Sequence, residues 1–210
     1  QYDIVLGKIR QSLDILTKLF DSLLDVTMLD TGGIEVNETI FPLQDIIDQV
    51  ANDFGLVAQA SNVDLKAFVT SNGVKSDPVL LTRMLQNLVA NALRHAPGAR
   101  VVVGCRRRVG SMSLIVADNG PGISEKDQQR IFSEFERLDA ARMGEKATPG
   151  LGLGLSIVRR IAREMKLEIS IQSNPGKITI FEISGLEPAD LQDLKPTKPI
   201  PVTENLLADL

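Results

Sequence analysis

Residues 77–95, DPVLLTRMLQNLVANALRH, carry the reading that decides the fold. Asp77 before Pro78 reads as a helix start. A short carboxylate at the cap accepts from the first unpaired backbone N–H groups, and proline suits the first helical position, where its missing N–H costs nothing. Across residues 79–95, Leu81, Leu85, Leu88 and Ala92 recur at helical spacing and make one apolar stripe. Arg83, Asn87, Asn91 and Arg94 or His95 make a second, polar one. Asparagine competes with the helix backbone for hydrogen bonds, so two of them inside a helix need a reason. A solvated polar face is the plain reading. Amide oxygens are also hard ligands of the kind Mg²⁺ accepts, and a nearby arginine can neutralise phosphate.

Upstream, residues 34–41 read as a short strand, and Pro42 opens a helix over residues 43–60. Ile46, Ile47, Val50, Phe54, Val57 and Ala58 form its apolar face. Residues 63–70 read as a second strand and residues 71–73 as a turn. Downstream, strands at 100–107 and 111–117 flank a turn at Val109-Gly110. A loop at 118–123, a short helix near 125–132 and a helix over 155–165 follow, then strands at 167–173 and 177–184. This order predicts an α+β fold, a sheet covered on one face by helices. From Glu187 onward, four prolines among scattered charges read as a linker or tail.

Residues 1–30 hold a heptad seam, Tyr2, Leu6, Ile9, Leu13, Leu16, Phe20 and Leu23, with a second row at Val5, Leu19 and Val26. A face that broad needs more than one partner helix, as in a bundle, or must pack on the downstream domain. Asp30-Thr31-Gly32-Gly33 ends the pattern. The chain starts inside it without a methionine, which suggests a piece of something longer.

The 210 residues are 43% hydrophobic, enough for a core without disulfides. A single cysteine, Cys105, reads as a small apolar filler in a reducing compartment. A net charge of −4 argues against nucleic acid as the main ligand, and Arg106-Arg107-Arg108 reads as a solvated strand end. No apolar run reaches the roughly 18 residues of a spanning helix.

Two further loops carry candidate chemistry. Asp118-Asn119-Gly120-Pro121-Gly122 follows directly on a strand, where Asn-Gly and Pro-Gly are ordinary turn dipeptides. A carboxylate at a strand end can also accept from an exocyclic amine, with glycines letting a flat ring approach the backbone. Gly150-Leu151-Gly152-Leu153-Gly154-Leu155 opens a helix. Glycines there either make a flexible loop or cradle a phosphate on unpaired N–H groups. The pattern is neither a Walker A loop nor a dinucleotide fingerprint. Phe132 and Phe135 read as core anchors of a short helix, or as the support of a mobile segment after them. His95, the only histidine, reads as a helix-end residue or the edge of a ligand site.

Taken in order, these motifs resemble the catalytic ATP-binding domain of sensor histidine kinases, within the superfamily that includes gyrase B and Hsp90. The likeness rests on Leu85-Gln86-Asn87-Leu88-Val89-Ala90-Asn91-Ala92, on residues 118–122, on residues 132–135 and on residues 150–154, and it covers about residues 41–184. It implies a two-layer sandwich of the Bergerat type, a mixed sheet under helices preceded by one long helix, with ATP and Mg²⁺ as cofactors. Asn91 is the implied Mg²⁺ ligand with Asn87 beside it, both catalytic in role. Arg94 and His95 are placed near phosphate or ribose. Asp118 is implied to accept from the adenine amine, with Gly120, Gly122 and Ile123 lining the base. Gly150, Leu151, Gly152, Leu153, Gly154 and Leu155 surround the triphosphate, and residues 139–149 correspond to the ATP lid. Hydrolysing relatives carry a glutamate where this chain has Asn87, which cannot act as a general base. That favours transfer to a protein nucleophile.

The resemblance also implies domain limits: residues 1–33 as the second helix of a dimerisation bundle, 34–185 as the catalytic domain and 186–210 as a linker or tail. The helix that carries the acceptor histidine is absent. The implied partners are a response regulator receiver domain and, through helix 2–29 of the full-length protein, a second copy. No nucleic acid partner and no membrane insertion by this chain are expected, and the compartment is cytoplasmic even if the parent is membrane-anchored. A regulatory module that binds nucleotide without phosphotransfer, or a hydrolysing ATPase, are the competing readings.

Overall fold

The computed structural model describes residues 35–68, 70–133 and 153–193. The expected helix at 2–29, the helix stop at 30–33, Gly150, Leu151, Gly152, Phe135, the lid at 139–149 and the tail beyond 193 lie outside the described residues.

The described strands are β1 (Thr39–Pro42), β2 (Asp64–Ala67), β3 (Gly73–Ser76), β4 (Arg100–Arg108), β5 (Ser111–Asp118), β6 (Glu168–Asn174) and β7 (Ile178–Ala189). The helices are α1 (Leu43–Ala60), α2 (Pro78–His95), α3 (Glu125–Gln128) and α4 (Gly154–Glu164), with a 3₁₀ turn at Leu191–Asp193. The strands form one mixed seven-stranded sheet in the order β1-β3-β7-β5-β4-β2, with β6 on the other side of β7. β2 and β4 run parallel and the other pairs antiparallel.

Strand alternation assigns the two faces. Val101 and Val103 on β4, Leu114 and Val116 on β5, and Phe181 and Ile183 on β7 are buried together with Leu81, Leu85, Leu88 and Val89 of α2 and Ile157, Val158 and Ile161 of α4. The apolar stripe read from residues 81–92 therefore faces the sheet, and the expected α+β sandwich is the observed one. The other face is more open and carries, among the described residues, one buried charge. Glu182 lies there at 5% exposure. Arg108 Nη2 donates to its two oxygens at 3.2 and 3.4 Å, and Arg106 Nη1 lies 3.9 Å away. The arginine run is thus more than a solvated strand end: two of its members neutralise a carboxylate that burial would otherwise penalise.

Some boundaries differ from expectation. The first strand begins at Thr39, and residues 35–38 have no regular structure. Gly73 begins a strand where a turn was expected, because β3 spans four residues with one large apolar side chain, too short to show alternation. The last strand continues past residue 184 to Ala189. Gly185, at φ +93°, accommodates a register shift opposite Met112 and Ser113, after which Glu187, Pro188 and Ala189 pair with β3. Pro188 pairs with Val74 of β3 and lies past the last pair of β7 with β5. Val57 does not join the apolar face of α1. It is 51% exposed, at the margin of an arc whose centre is Ile46, Ile47 and Val50.

Asp77 caps α2 as read. Its Oδ1 accepts from Val79 N at 2.9 Å and Leu80 N at 3.0 Å, while Oδ2 accepts from Asn37 N at 2.8 Å. Asp77→Ala removes the cap and the tether of the entering chain together, and the cap alone is worth about 1–2 kcal/mol. The expected result is a thermal unfolding midpoint lower by about 2–8 °C by circular dichroism. An unchanged midpoint would mean that water replaces all three bonds.

Candidate nucleotide-binding site

The candidate residues come together along the C-terminal half of α2. Asp118 is the last residue of β5, paired with Val101 of β4 and Thr179 of β7. It shares the inward parity of Leu114 and Val116 and is buried. Its Oδ1 accepts from Gly120 N at 3.0 Å, which folds the loop back over the strand end. Burial holds the Asp118 carboxyl above the usual carboxylate range, opposed by that one backbone bond.

Gly120 lies against the end of α2. A Cβ there would come within 2.6 Å of the Ala96 Cβ and 2.8 Å of Asp118 Oδ1. Gly122 has φ +70°, and a Cβ on it would run into the carbonyl of Asn174. The β6–β7 turn fastens this loop from below. Gly176 N donates to Pro121 O at 2.7 Å, and Ile123 N donates to Ser173 Oγ at 2.8 Å. Gln128 of α3 donates to the carbonyls of Ile123 and Ser173 at 2.9 Å each. Ile123 packs against the core.

Asn87 faces the start of α4. Its Nδ2 donates to Arg83 O at 3.0 Å, and its Oδ1 lies 2.9 Å from where a Cβ on Gly154 would be. The amide is thus oriented with its acceptor oxygen toward the glycine stretch. Asn91 follows one turn later on the same side. Arg94 and His95 occupy the last turn of α2, exposed and half-buried respectively. Leu153, the cap of α4, is buried and supplies no side-chain hydrogen bond to the first N–H groups of that helix. Leu155 is half-buried behind them. Gly150, Leu151 and Gly152 lie outside the described residues.

Phe132 is a core anchor. Its ring meets that of Phe181 edge-on at 6.3 Å, and the Arg159 guanidinium lies 5.9 Å over it.

Sequence reading missed Thr179, Ser173 and Gln128. Thr179 is 3% exposed beside Asp118, and its hydroxyl lies 3.0 Å from that of Ser173. The available signal was a polar residue at the inward parity of Phe181 and Ile183. Nothing local marked Ser173 or Gln128, whose role exists only across strands.

Residues 76–188 match the family described as histidine kinase-, DNA gyrase B- and HSP90-like ATPase. The chain belongs to that family. It is 32% identical over 188 residues to the sensor histidine kinase YcbM of Bacillus subtilis, covering 86% of this chain and 58% of YcbM. The chain therefore spans little more than half of that relative. Among solved structures, full-length ShkA in complex with AMPPNP superposes with a TM-score of 0.76 at 23% identity, over 89% of this chain and 39% of ShkA. The histidine kinase ThkA, solved in complex with the response regulator TrrA, superposes with a TM-score of 0.63 at 20% identity, over 88% of this chain and 50% of ThkA. These likenesses show the same fold. Among the described residues, no helix is long and apolar enough to cross a membrane.

Proposed function

We propose that the chain is the ATP-binding donor module of a sensor histidine kinase, delivering the γ-phosphoryl of ATP to a histidine on a helix of the longer protein, for relay to an aspartate of a response regulator. The observation that carries this reading is the convergence on α2, where Asn87 faces Gly154 and Ala96 meets Gly120. One helix thereby joins the amine-accepting carboxylate to the glycine stretch that faces phosphate.

In this reading Asp118 accepts a hydrogen bond from the adenine amine, and the tight approach of Gly120 and Gly122 keeps side chains out of the plane of the base. Arg94 and His95 meet phosphate or ribose. The N–H groups at the start of α4, with residues 150–154, hold phosphate oxygens. The donor set fits Mg²⁺. Asn91 and Asn87 offer neutral oxygens, and no group of three or more His, Cys, Asp or Glu able to hold a metal occurs among the described residues. Mg²⁺ is commonly bound by one or two protein oxygens together with substrate phosphates and water. When bound it neutralises charge on the transferring phosphoryl group. Asn87 cannot take a proton from water, so the site positions and stabilises without activating a hydrolytic nucleophile.

The domain division at 1–33, 34–185 and 186–210, with the second limit moved past Ala189 where β7 ends, dimerisation through helix 2–29 and a cytoplasmic location belong to the same proposal. The test supplies the purified chain with γ-labelled ATP, Mg²⁺ and a separate helical hairpin bearing the parent's acceptor histidine. Label on that histidine, lost on chelating Mg²⁺, is expected. Sustained phosphate release by the chain alone would instead support a hydrolysing ATPase. ATP binding without transfer, in the full-length parent as well, would support a regulatory module.

A further inference from the structure

The sheet has a second face that the described helices do not cover. Val101, Leu114 and Phe181 point into the helical layer, so by strand alternation Val102, Ile115 and Ile180 point away from it. Val102, Ala117 and Ile180 stand side by side in one row across β4, β5 and β7, and Gly104, Ile115 and Glu182 in the next. Phe68, just past β2, lies beside Gly104, where a Cβ would meet the Phe68 Cβ at 3.3 Å. Phe68 is 59% exposed and Ile178 37%, while Val102, Ile115, Ala117 and Ile180 are half-buried. Together they make an apolar area open to solvent.

One side of this area is basic. Arg106, Ser113 and Ser184 form the following row. Arg108 is level with Ser111 and Glu182 with Ile115, so the Arg108 side chain crosses the row of Ser113 to reach the carboxylate. Ser113 is fully buried, and its hydroxyl has no hydrogen-bond partner among the described residues. Glu182 engages only Nη2 of Arg108, and Arg106 comes no closer than 3.9 Å. Each guanidinium has five N–H donors, so most of them are left for another acceptor. Two positive charges here meet one negative charge. Glu168 stands at the far end of the Ser113 row, three strands or about 14 Å from Arg106.

The chain leaves the described fold on this same face. Val74 of β3 points into the core, so Gly73 beside it faces the other way, and a Cβ on it would come within 2.5 Å of Leu191 Cδ2. The 3₁₀ turn at Leu191–Asp193 therefore rests on the helix-free face, beside β1. Passing along β7 from Ala189, the rows come in the order Ser184 with Arg106, then Glu182, then Ile180 with the apolar row. The sequence after the turn has the same order, with Glu204 first and Leu206, Leu207 and Leu210 after it. From Leu191 to Glu204 the chain can span about 43 Å, against roughly 22 Å from Gly73 to Arg106 across the sheet.

We propose that residues 204–210 dock on the helix-free face of the sheet, with Glu204 over Arg106 and Arg108 and the leucines after it against Val102, Ala117 and Ile180. The segment gives the sheet its second cover and lies on the side away from Asn87 and Asn91.

The test uses the whole 210-residue chain with Cys105→Ser, which removes its only cysteine. Leu207→Cys with Ala117→Cys should close an intrachain disulfide under mild glutathione oxidation, visible as a faster-migrating monomer. Leu207→Cys with Val79→Cys, on the helical layer, should close at least about tenfold more slowly. Residue 207 can reach either site, about 53 Å of chain from Leu191, and Val79 at 73% exposure is the more accessible target for an undocked segment. Equal rates, a faster Val79 pair, or no closure overturns the proposal. So does a disulfide-linked dimer, which would assign the face to a second copy. Adding Glu204→Lys should slow closure onto Ala117 by about tenfold, and an unchanged rate would remove the arginines from the docking. Independently, Leu206→Ser with Leu210→Ser should lower the thermal midpoint by about 2–5 °C, and an unchanged midpoint would also overturn it. ATP-analogue affinity should stay within about twofold in that variant, whereas a larger loss would place the segment at the nucleotide site instead.

Discussion

Asp118→Asn should weaken binding of an ATP analogue by about 100-fold or more, while the thermal midpoint stays level or rises. The two effects come from one feature, a carboxylate buried at the end of β5 with a single backbone donor, Gly120 N, on its Oδ1. An amide keeps an oxygen for Gly120, so the loop survives. It also places an NH₂ where the second oxygen was, facing the adenine amine donor to donor. A site built to hydrogen-bond one group discriminates strongly when that polarity is reversed, because buried polar groups are left unpaired. Stability does not follow binding downward. Burial raises the folded-state pKa of Asp118, so its ionised form opposes folding at neutral pH, and the neutral amide removes that penalty.

The same asymmetry gives a pH signature. The folded chain holds this proton more tightly than the unfolded chain does. Acidification through the raised folded pKa of Asp118 therefore stabilises the fold, as far as this group is concerned, with the gain complete below the unfolded value. Over the same window ATP-analogue affinity should fall, beginning at a higher pH than an ordinary exposed carboxylate would give. Isothermal titration across mildly acidic pH, paired with melting curves, checks both signs. Affinity in Asp118→Asn equal to that of the parent chain would sink the pocket assignment.

Gly122→Ala is expected to damage both the fold and the site. At φ +70° an L side chain is strained by roughly 1–2 kcal/mol. Its Cβ would also strike the carbonyl of Asn174 and come within 2.8 Å of Pro175 Cα, both backbone atoms of the β6–β7 turn. Forcing a methyl into such contact typically costs a further 1–3 kcal/mol, for a total of about 2–5 kcal/mol. Because the turn also holds the loop through Gly176 N and Ser173 Oγ, relief requires moving the whole loop away from Asp118. Nucleotide affinity should fall with stability. Gly176→Ala is the control: its φ is +72°, but nothing lies within 4 Å of the added carbon, so only the backbone strain applies. Equal urea-denaturation losses for the two variants would show that the close approach to Asn174 is unimportant.

The helices were legible from sequence for a physical reason. α1 and α2 carry local signals, an apolar period of 3.6 and a start residue, that do not depend on distant partners. Asp77-Pro78 starts α2 by accepting hydrogen bonds at Asp77 and omitting a donor at Pro78 within one turn, and Leu81, Leu85 and Leu88 repeat along it. Val57 was misplaced because the period defines an arc without its margin. Which marginal residue is covered depends on the neighbour, and here Val57 is left exposed. The ends of the sheet were hidden for a related reason. β3 and the last residues of β7 are strands because of each other: Val74 faces Pro188 and Lys75 faces Glu187, with no alternation in either segment.

For the site, the amino-acid order by itself determined which chemical groups are present. It supplied two helical asparagines, a carboxylate after a strand and glycines before a helix. Each of these is a property of residue type and spacing. Only the tertiary structure decided that they meet. Asp118 and Asn87 are far apart along the chain and come together because β5 ends beneath the C-terminal end of α2, while Gly154 enters beside Asn87. Thr179, Ser173 and Gln128 enter the site by the same route, through strand register and a loop held from the opposite hairpin. Contacts of that kind are set by pairing between distant segments, and no local period or propensity encodes them.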